Sequence, residues 1–264
     1  MPFEPRSQIQ LTSRPLSFED PHAWKRLGLI ALATDLTSER DFARLMPHDK
    51  MGLYTARIEY ENPTTLENLR QMGPRLTAAA RLILPGEPLD AICYSCTAAS
   101  VVIGDEAVTQ AIHAARPGVP VVTPSGAARM AFQALGVTKI SVLTPYLVAT
   151  SQPMADYFTQ HGLAIQSFEC FGLEDDRIMA RVTRDAIIEA ACRVDVPEAE
   201  ALFISCTGLP AVAAIAEIEA RLGKPVVTSN QASAWAMMRY AGLDHKPLGC
   251  GQLFEMDLPT QELS

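Results

Sequence analysis

Short apolar runs rich in β-branched residues alternate with longer amphipathic stretches along the chain. Such alternation is typical of βα units built around a mainly parallel sheet. The pattern predicts strands at 27–33, 53–60, 91–94, 119–123, 139–143, 163–168, 201–204 and 225–227. It predicts helices at 64–84, 98–115, 126–135, 151–161, 175–193, 209–222 and 231–240, where apolar residues recur at the spacing of one helix face. The fold class expected is therefore α/β.

The chain contains an internal repeat. Residues 89–98, Leu-Asp-Ala-Ile-Cys-Tyr-Ser-Cys-Thr-Ala, correspond to residues 199–208, Ala-Glu-Ala-Leu-Phe-Ile-Ser-Cys-Thr-Gly. Downstream, the run Gly-Val-Pro-Val-Val-Thr-Pro-Ser at 118–125 is echoed by Gly-Lys-Pro-Val-Val-Thr-Ser-Asn at 223–230. Each copy has a strand, a Ser-Cys-Thr turn and a helix, so we expect two similar lobes with parallel sheets, related by a pseudo-twofold axis.

The repeat also suggests how the chain is divided. We predict an N-terminal arm at 1–24, a first lobe at 25–125 that the C-terminal segment 229–264 completes, and a second lobe at 126–228. Ligands of open parallel sheets bind at the carboxyl ends of the strands, where both Ser-Cys-Thr turns lie. The active site is therefore expected in the cleft between the lobes, with Cys96 and Cys206 facing each other.

The position of these cysteines predicts their chemistry. A cysteine at a helix N-terminus faces unpaired N–H groups and the positive end of the helix dipole, so we expect a lowered thiol pKa. Two thiols on opposite sides of one α-carbon can act as general base and general acid. Alternatively, one thiol can attack a carbon atom and form a covalent adduct.

Other polar groups are expected at the same edge of the sheets. The N–H groups of Thr97, Ala98, Thr207 and Gly208 and the two threonine hydroxyls are suited to hold a carboxylate.

Two further side chains follow predicted strands. Asp35 follows the first strand, where it can line the site or only cap the next helix. Tyr146 follows another strand, where its hydroxyl can reach a carboxylate, or it can be an ordinary partly buried tyrosine. Both pairs of alternatives stay open.

Simpler interpretations of the cysteines compete with the catalytic one. A single buried cysteine after a strand is usually a core residue, but packing alone does not require the same triplet twice. The C-x-x-C spacing of Cys93 and Cys96 also matches a redox couple or half of a zinc site. Cys93 lies inside a predicted strand and no second C-x-x-C pair is present, so we disfavour both interpretations. The histidines lack ligand spacing, and no metal or other cofactor is predicted.

Composition narrows the class of protein. With 264 residues, of which 48% are hydrophobic, the chain can bury a large core. Its net charge of −8 and lack of a Lys/Arg block argue against a nucleic-acid partner. No apolar run is long enough to span a membrane. Six cysteines without the close spacing of a disulfide scaffold suggest reduced thiols, so a cytoplasmic protein is expected.

Several ordered motifs together resemble a known family. They are the two Ser-Cys-Thr turns, the Thr-Pro-Tyr loop at 144–146, the Thr-Ser-Asn-Gln-Ala segment at 228–232 and the Gly-Cys-Gly-Gln-Leu-Phe segment at 249–254. With them the chain resembles the aspartate/glutamate racemase superfamily, within its maleate isomerase and arylmalonate decarboxylase branch. The resemblance implies two flavodoxin-like lobes, catalysis without a metal or organic cofactor, and a homo-oligomer.

The resemblance also assigns roles. It makes Cys96 the nucleophile or base and Cys206 its partner, and it gives Tyr146 and the N–H groups at 97–98 and 207–208 to substrate carboxylates. Arylmalonate decarboxylases typically keep only the second-lobe cysteine, so the pair argues against simple decarboxylation. Maleate isomerases usually have asparagine where this chain has Asp35, and a carboxylate there favours a substrate ammonium group. The run at 34–42 is similar to ectoine-utilisation proteins, which implies a diaminobutyrate-type substrate.

Three functions are therefore considered. The leading one is a cofactor-independent racemase or epimerase that uses the two cysteines as an acid/base pair on a small amino acid or its derivative. The second is a maleate-type cis–trans isomerase, in which Cys96 adds to the double bond. The third is a non-catalytic protein that binds a small carboxylate.

Overall fold

Two four-stranded parallel sheets form the centre of the described part of the protein, which a computed structural model gives as residues 11–20 and 23–260. The first sheet has the order β2-β1-β3-β4, with β1 Lys25–Leu32, β2 Met51–Ile58, β3 Ala91–Tyr94 and β4 Val121–Val122. The second has the order β6-β5-β7-β8, with β5 Lys139–Thr144, β6 Ala164–Cys170, β7 Ala201–Ile204 and β8 Val226–Thr228. The equivalent order of the two sheets confirms the predicted two-lobed α/β fold.

Helices cover the sheets. They are α1 Ser38–Leu45, α2 Leu66–Arg70, α3 Leu76–Leu82, α4 Thr97–Ile103, α5 Asp105–His113, α6 Pro124–Leu135, α7 Val148–Gln160, α8 Asp176–Met179, α9 Arg184–Val194, α10 Ile215–Leu222 and α11 Ser229–Tyr240. Short 3₁₀ helices lie at Gly73–Arg75, Val212–Ala214 and Gln252–Glu255. Over the described ranges, no helix is both long and apolar enough to cross a membrane.

Three of the predicted helices are interrupted, and these predictions were wrong as single elements. The helix expected at 98–115 is divided by Gly104, whose φ of 94° belongs to a region that favours glycine. The helix expected at 175–193 is divided before Thr183, whose side chain caps α9 by accepting a hydrogen bond from the Ala186 N–H at 3.3 Å. The helix expected at 64–84 is divided around Gly73–Arg75. Helix α1 was not predicted.

The central strands β3 and β7 are buried along their whole length. Helices cover both faces of each sheet, so these strands are nearly continuous apolar runs rather than alternating ones. Each leads directly into a Ser-Cys-Thr turn. The two turns therefore start from the buried centre of each lobe.

Helix α11 packs against β3 and α1 of the first lobe and against α6. A capping box starts the helix, in which the Thr228 and Gln231 side chains each accept a hydrogen bond from the other's backbone N–H. These contacts support our proposal that the segment from 229 onward completes the first lobe. Of the proposed N-terminal arm, residues 1–10 and 21–22 lie outside the described residues, as do 261–264 at the other end, and residues 11–20 form no helix or strand.

Candidate active site

One cleft collects nearly all the residues that the sequence singles out. It encloses ≈ 420 Å³, its open mouth included, at the carboxyl ends of β1, β3 and β7. Its lining consists of Leu32, Asp35, Leu36, Tyr60, Thr64, Leu69, Cys96, Ala98, Tyr146, Asp176, Met179, Cys206, Thr207 and Gly208. Both cysteines are thus present in one cavity. Of the predicted site residues, Thr97 is the one that does not line it.

The two cysteines occupy equivalent turns but differ in backbone geometry. Cys96 is the N-cap of α4 and has an extended backbone, whereas Cys206 has a φ of 96°. A side chain at such a φ is strained, by roughly 1–3 kcal/mol, and strain of this kind concentrates at functional sites. The N–H of Cys206 donates a hydrogen bond to Ser229 Oγ at 3.0 Å. The strained backbone of Cys206 therefore favours a functional role over a role in packing alone.

Hydrogen bonds join the two Ser-Cys-Thr turns directly. Thr207 Oγ1 donates to the carbonyl oxygen of Ser95 at 3.1 Å, and Thr97 Oγ1 donates to Ser229 Oγ at 2.8 Å. Ser229 therefore contacts both turns. Both threonine hydroxyls donate within the protein in this structure, so a substrate carboxylate would have to compete with these bonds for them. The N–H groups of the first turn of α4 have no partner within the helix and stay suited to that task.

Burial favours the neutral form of both thiols. Burial raises the pKa of Cys206 to about 11, although the Tyr146 hydroxyl and the N–H groups of Gly208 and Leu209 stabilise its thiolate. Burial raises the pKa of Cys96 further, and the N–H of Ala99 opposes this only in part. The expected lowering of the thiol pKa was therefore wrong for the free protein, because desolvation exceeds the effect of the helix N-terminus. Cys206 is the more easily ionised of the two.

Asp35 serves both of the purposes considered for it. Its Oδ1 accepts hydrogen bonds from the N–H groups of Thr37 at 2.7 Å and Ser38 at 2.9 Å, and so caps the start of α1. The same carboxyl group lines the cleft, where burial raises its pKa. A capping role therefore does not remove Asp35 from the site.

Asp176 is a second carboxyl group in the cleft, and sequence reasoning missed it. Its Oδ1 accepts a hydrogen bond from Asn62 Nδ2 at 2.7 Å, and its Oδ2 accepts one from the Thr34 hydroxyl. Asp176 thus connects the second lobe to loops that follow β1 and β2 of the first. The only signal was an Asp-Asp pair at the start of a predicted helix, which is more typical of a cap.

Tyr60 was missed as well. It follows β2, its ring is buried in the cleft wall, and its hydroxyl is hydrogen-bonded to Thr64 Oγ1 at 2.7 Å. Neither Tyr60 nor Asp176 belongs to the repeated motif, so the repeat could not reveal them.

The charge of the cleft is unusual for a site expected to hold an organic acid. Its described lining contains two carboxyl groups, Asp35 and Asp176, and no lysine, arginine or histidine. A carboxylate can still be held by N–H groups at the turns. The carboxyl groups favour a substrate that also carries a positive charge.

Comparisons with known proteins agree with this architecture. Residues 74–254 match the family model of arylmalonate decarboxylase. Arylmalonate decarboxylase of Bordetella bronchiseptica is 32% identical over 141 residues, which cover 52% of this chain and 59% of that protein. Maleate isomerase of Nocardia farcinica is 22% identical over 244 residues, which cover 88% of this chain and 96% of that protein.

The fold also matches a solved structure of a catalytic intermediate. A cysteine-to-serine variant of Nocardia farcinica maleate cis-trans isomerase, with a covalently bound succinylcysteine, superposes with a TM-score of 0.80. The match covers 87% of this chain and 98% of that one at 21% identity, so it shows the two-lobed fold alone.

Proposed function

The chain belongs to the arylmalonate decarboxylase family, and we propose that it is a cofactor-independent isomerase that inverts the α-carbon of a small amino acid or its derivative. The observation that supports this function most is the composition of the cleft. Cys96 and Cys206 share it with two carboxyl groups, and its described lining contains no basic side chain. The thiols suit a two-base proton transfer, and the carboxyl groups suit an ammonium group on the substrate.

In the proposed reaction the α-carbon lies between the two sulfur atoms. N–H groups of the first turn of α4 and of Thr207–Gly208 hold the substrate carboxylate. One thiolate removes the α-proton, and negative charge spreads onto the carboxylate oxygens, where the same N–H groups stabilise it. The opposite thiol donates a proton to the other face of the carbon, so the configuration is inverted.

The substrate itself supplies the charge that this chemistry requires. Burial favours the protonated form of both thiols. A bound ammonium group favours a nearby thiolate because opposite charges attract more strongly in a desolvated site. We propose Cys206 as the first to ionise, since it has the lower pKa of the pair.

The finer identity of the substrate is proposed from the two acidic positions. Asp35 and Asp176 provide two carboxyl groups for cationic groups, which suits a diaminobutyrate-type substrate of the kind implied by the resemblance to ectoine-utilisation proteins. A cytoplasmic homo-oligomer remains part of this proposal.

A maleate-type cis–trans isomerase is the second candidate. It is favoured by the similarity to maleate isomerase of Nocardia farcinica, and Cys96 would add to the double bond of maleate. Maleate carries two negative charges, however, and both Asp35 and Asp176 would repel it. A binding protein without catalysis is the weakest candidate, because binding alone does not require two equivalent thiols.

Turnover assays separate these candidates. Wild-type protein would be incubated with single enantiomers of amino acids, including 2,4-diaminobutyrate and its N-acyl derivatives, and separately with maleate. Chiral chromatography and absorbance at the fumarate band would follow the products. We expect the opposite enantiomer to form, with loss of activity in Cys96→Ser and Cys206→Ser and retention in the control Cys192→Ser. Fumarate formation without racemisation would support the second candidate instead.

A further inference from the structure

A second cavity lies beside the cleft and is separate from it. It encloses ≈ 1040 Å³, its wide mouth included. Arg40 and Arg44 of α1 and Arg184 at the start of α9 line it, together with the buried Asp41. The proposed reaction uses none of these residues, and in the sequence Arg40 and Asp41 occur only within the run 34–42 that resembles ectoine-utilisation proteins.

The charge of this cavity is distinctive in a chain with a net charge of −8. Arg40 and Arg44 lie one helical turn apart, so they project from the same face of α1. Over residues 11–20 and 23–260, neither has a carboxylate within ion-pair distance, although Arg44 also approaches the Cys250 thiol. Arg184 is already paired, with Glu217 at 2.6 Å. Two guanidinium groups therefore face a concave surface, where the buried Asp41 attracts both but forms an ion pair within 4 Å with neither.

The remaining charges around the cavity are compatible with an anion. Burial raises the pKa of Asp41 to about 6, so its carboxyl group holds a negative charge less readily than an exposed aspartate. Val182 and Arg184, on either side of the α9 N-cap, lie in the cavity wall, and the positive end of that helix dipole adds to the guanidinium charge. Guanidinium groups bind phosphate and carboxylate groups through paired hydrogen bonds.

The cavity is also connected to the Cys206 turn. Asn230 Nδ2 donates to Asp41 Oδ2 at 2.9 Å and to the carbonyl oxygen of Thr207 at 2.8 Å. The N-cap of α1, Thr37, donates through Oγ1 to the carbonyl oxygen of Gly208 at 2.8 Å. The helix that bears Arg40 and Arg44 is thus linked to Gly208 through its N-cap and to Thr207 through Asn230.

We propose that this cavity is an effector site that binds a small polyanion, bearing phosphate or several carboxylates, through Arg40 and Arg44. An anion bound there adds negative charge near Cys206 through α1 and Asn230, and this slows ionisation of the thiol. The effector site binds an anion, whereas the carboxyl groups of the cleft favour a substrate ammonium group. Substrate and effector therefore do not compete.

Isothermal titration calorimetry tests the binding directly. Pyrophosphate and citrate would be titrated separately into wild-type protein, into Arg40→Gln/Arg44→Gln and into Arg70→Gln/Arg81→Gln. The last variant removes the same charge at two exposed arginines outside the cavity. We expect saturable binding that weakens about tenfold or more in the first variant and is unchanged in the second. A preference for pyrophosphate indicates a phosphate-bearing effector, and a preference for citrate a polycarboxylate.

Absence of saturable binding by either anion overturns the site. Equal weakening in both arginine variants overturns it as well, because that result indicates non-specific attraction.

Alkylation of Cys206 tests the effector role. In a Cys96→Ser background, the rate of Cys206 modification by iodoacetamide would be followed by peptide mass spectrometry with and without saturating anion. We expect the rate to fall roughly fivefold, the lower end of coupling between sites, and to be insensitive to the anion in Arg40→Gln/Arg44→Gln. An unchanged rate in the presence of bound anion overturns the effector role. Slowing that persists in the arginine variant places the anion in the cleft and overturns the proposal.

Neither measurement depends on turnover, so failure of this proposal is distinguishable from failure of the proposed function.

Discussion

At the scale of single residues, Ser229 determines how the two cysteine turns meet. Its hydroxyl accepts hydrogen bonds from the Cys206 N–H and from Thr97 Oγ1, and all three groups are buried. The first of these bonds holds the backbone at the unusual φ of Cys206. Ser229 is therefore a positioning residue, since it acts through the cysteine turns.

Removal of the Ser229 hydroxyl is expected to lower kcat and stability together. Ser229→Ala leaves the buried Cys206 N–H without its acceptor, at a cost of about 1–3 kcal/mol, and frees the turn to relax. Urea unfolding and steady-state kinetics would be compared with Ser233→Ala, which removes a buried hydroxyl that contacts the Ser229 carbonyl oxygen and the Cys93 thiol but neither Cys96 nor Cys206. A normal kcat in Ser229→Ala, or an equal loss in the control, contradicts this role.

The acidic residues of the cleft provide a second prediction. Asp35→Asn keeps an oxygen that can accept the N–H groups of Thr37 and Ser38 but removes the negative charge. We expect KM for a cationic substrate to rise roughly tenfold or more, because a charge-assisted hydrogen bond is lost. Glu39→Gln, which removes a charge on α1 outside the cleft lining, is the control. An unchanged KM in Asp35→Asn would show that no ammonium group lies beside this residue.

The buried thiols predict a pH dependence. Cys206 alkylation in the free protein should rise about tenfold per pH unit until the pH reaches its pKa of about 11, and Cys96 should react more slowly at each pH. The pKa of Cys206 in the folded protein exceeds its ordinary value of 9.0, so its contribution to stability is complete below pH 9 and is lost between pH 9 and 11. Rapid alkylation of either cysteine at neutral pH would refute the desolvated state of the thiols.

At the scale of elements, the strands were predictable and the helix interruptions were not. All eight predicted strands are present, because short apolar runs bounded by polar turns are too short to form a buried helix and favour a strand. The apolar periodicity continues across Gly104, so it predicted one helix where α4 and α5 are two. The break depends on a single backbone angle, which periodicity does not report.

Gly104 is expected to be required for that break. A Cβ at this position meets nothing within 4 Å, so the cost of Gly104→Ala comes from its φ of 94° alone. We expect a loss of about 1–2 kcal/mol in the free energy of unfolding. Gly73→Ala, where φ is ordinary and the nearest atom is 3.8 Å away, should change stability little. Equal unfolding midpoints for the two variants in urea would contradict the argument.

At the scale of the whole molecule, the repeat predicted which residues meet. Equivalent turns after β3 and β7 bring Cys96 and Cys206 into one cleft, as two copies of one motif would. Tyr60 follows β2 and Asp176 begins α8, and neither belongs to the repeated motif, so no pattern marked them. The pKa of the thiols could not be predicted from the sequence either, because the burial of the thiols depends on how closely the lobes approach each other. The repeated Ser-Cys-Thr motif thus predicted where the site lies, whereas the charge of the cleft lining became known only from the structure.

The central claim is that the two cysteines act on opposite faces of one α-carbon, and proton NMR in deuterium oxide tests it most directly. Each enantiomer of the substrate would be incubated with wild-type protein, Cys96→Ser and Cys206→Ser. The account predicts that wild-type protein places deuterium at the α-carbon of the inverted product and that each variant loses about a thousandfold in racemisation rate. Inversion without deuterium at the α-carbon, or full activity in either variant, would contradict it.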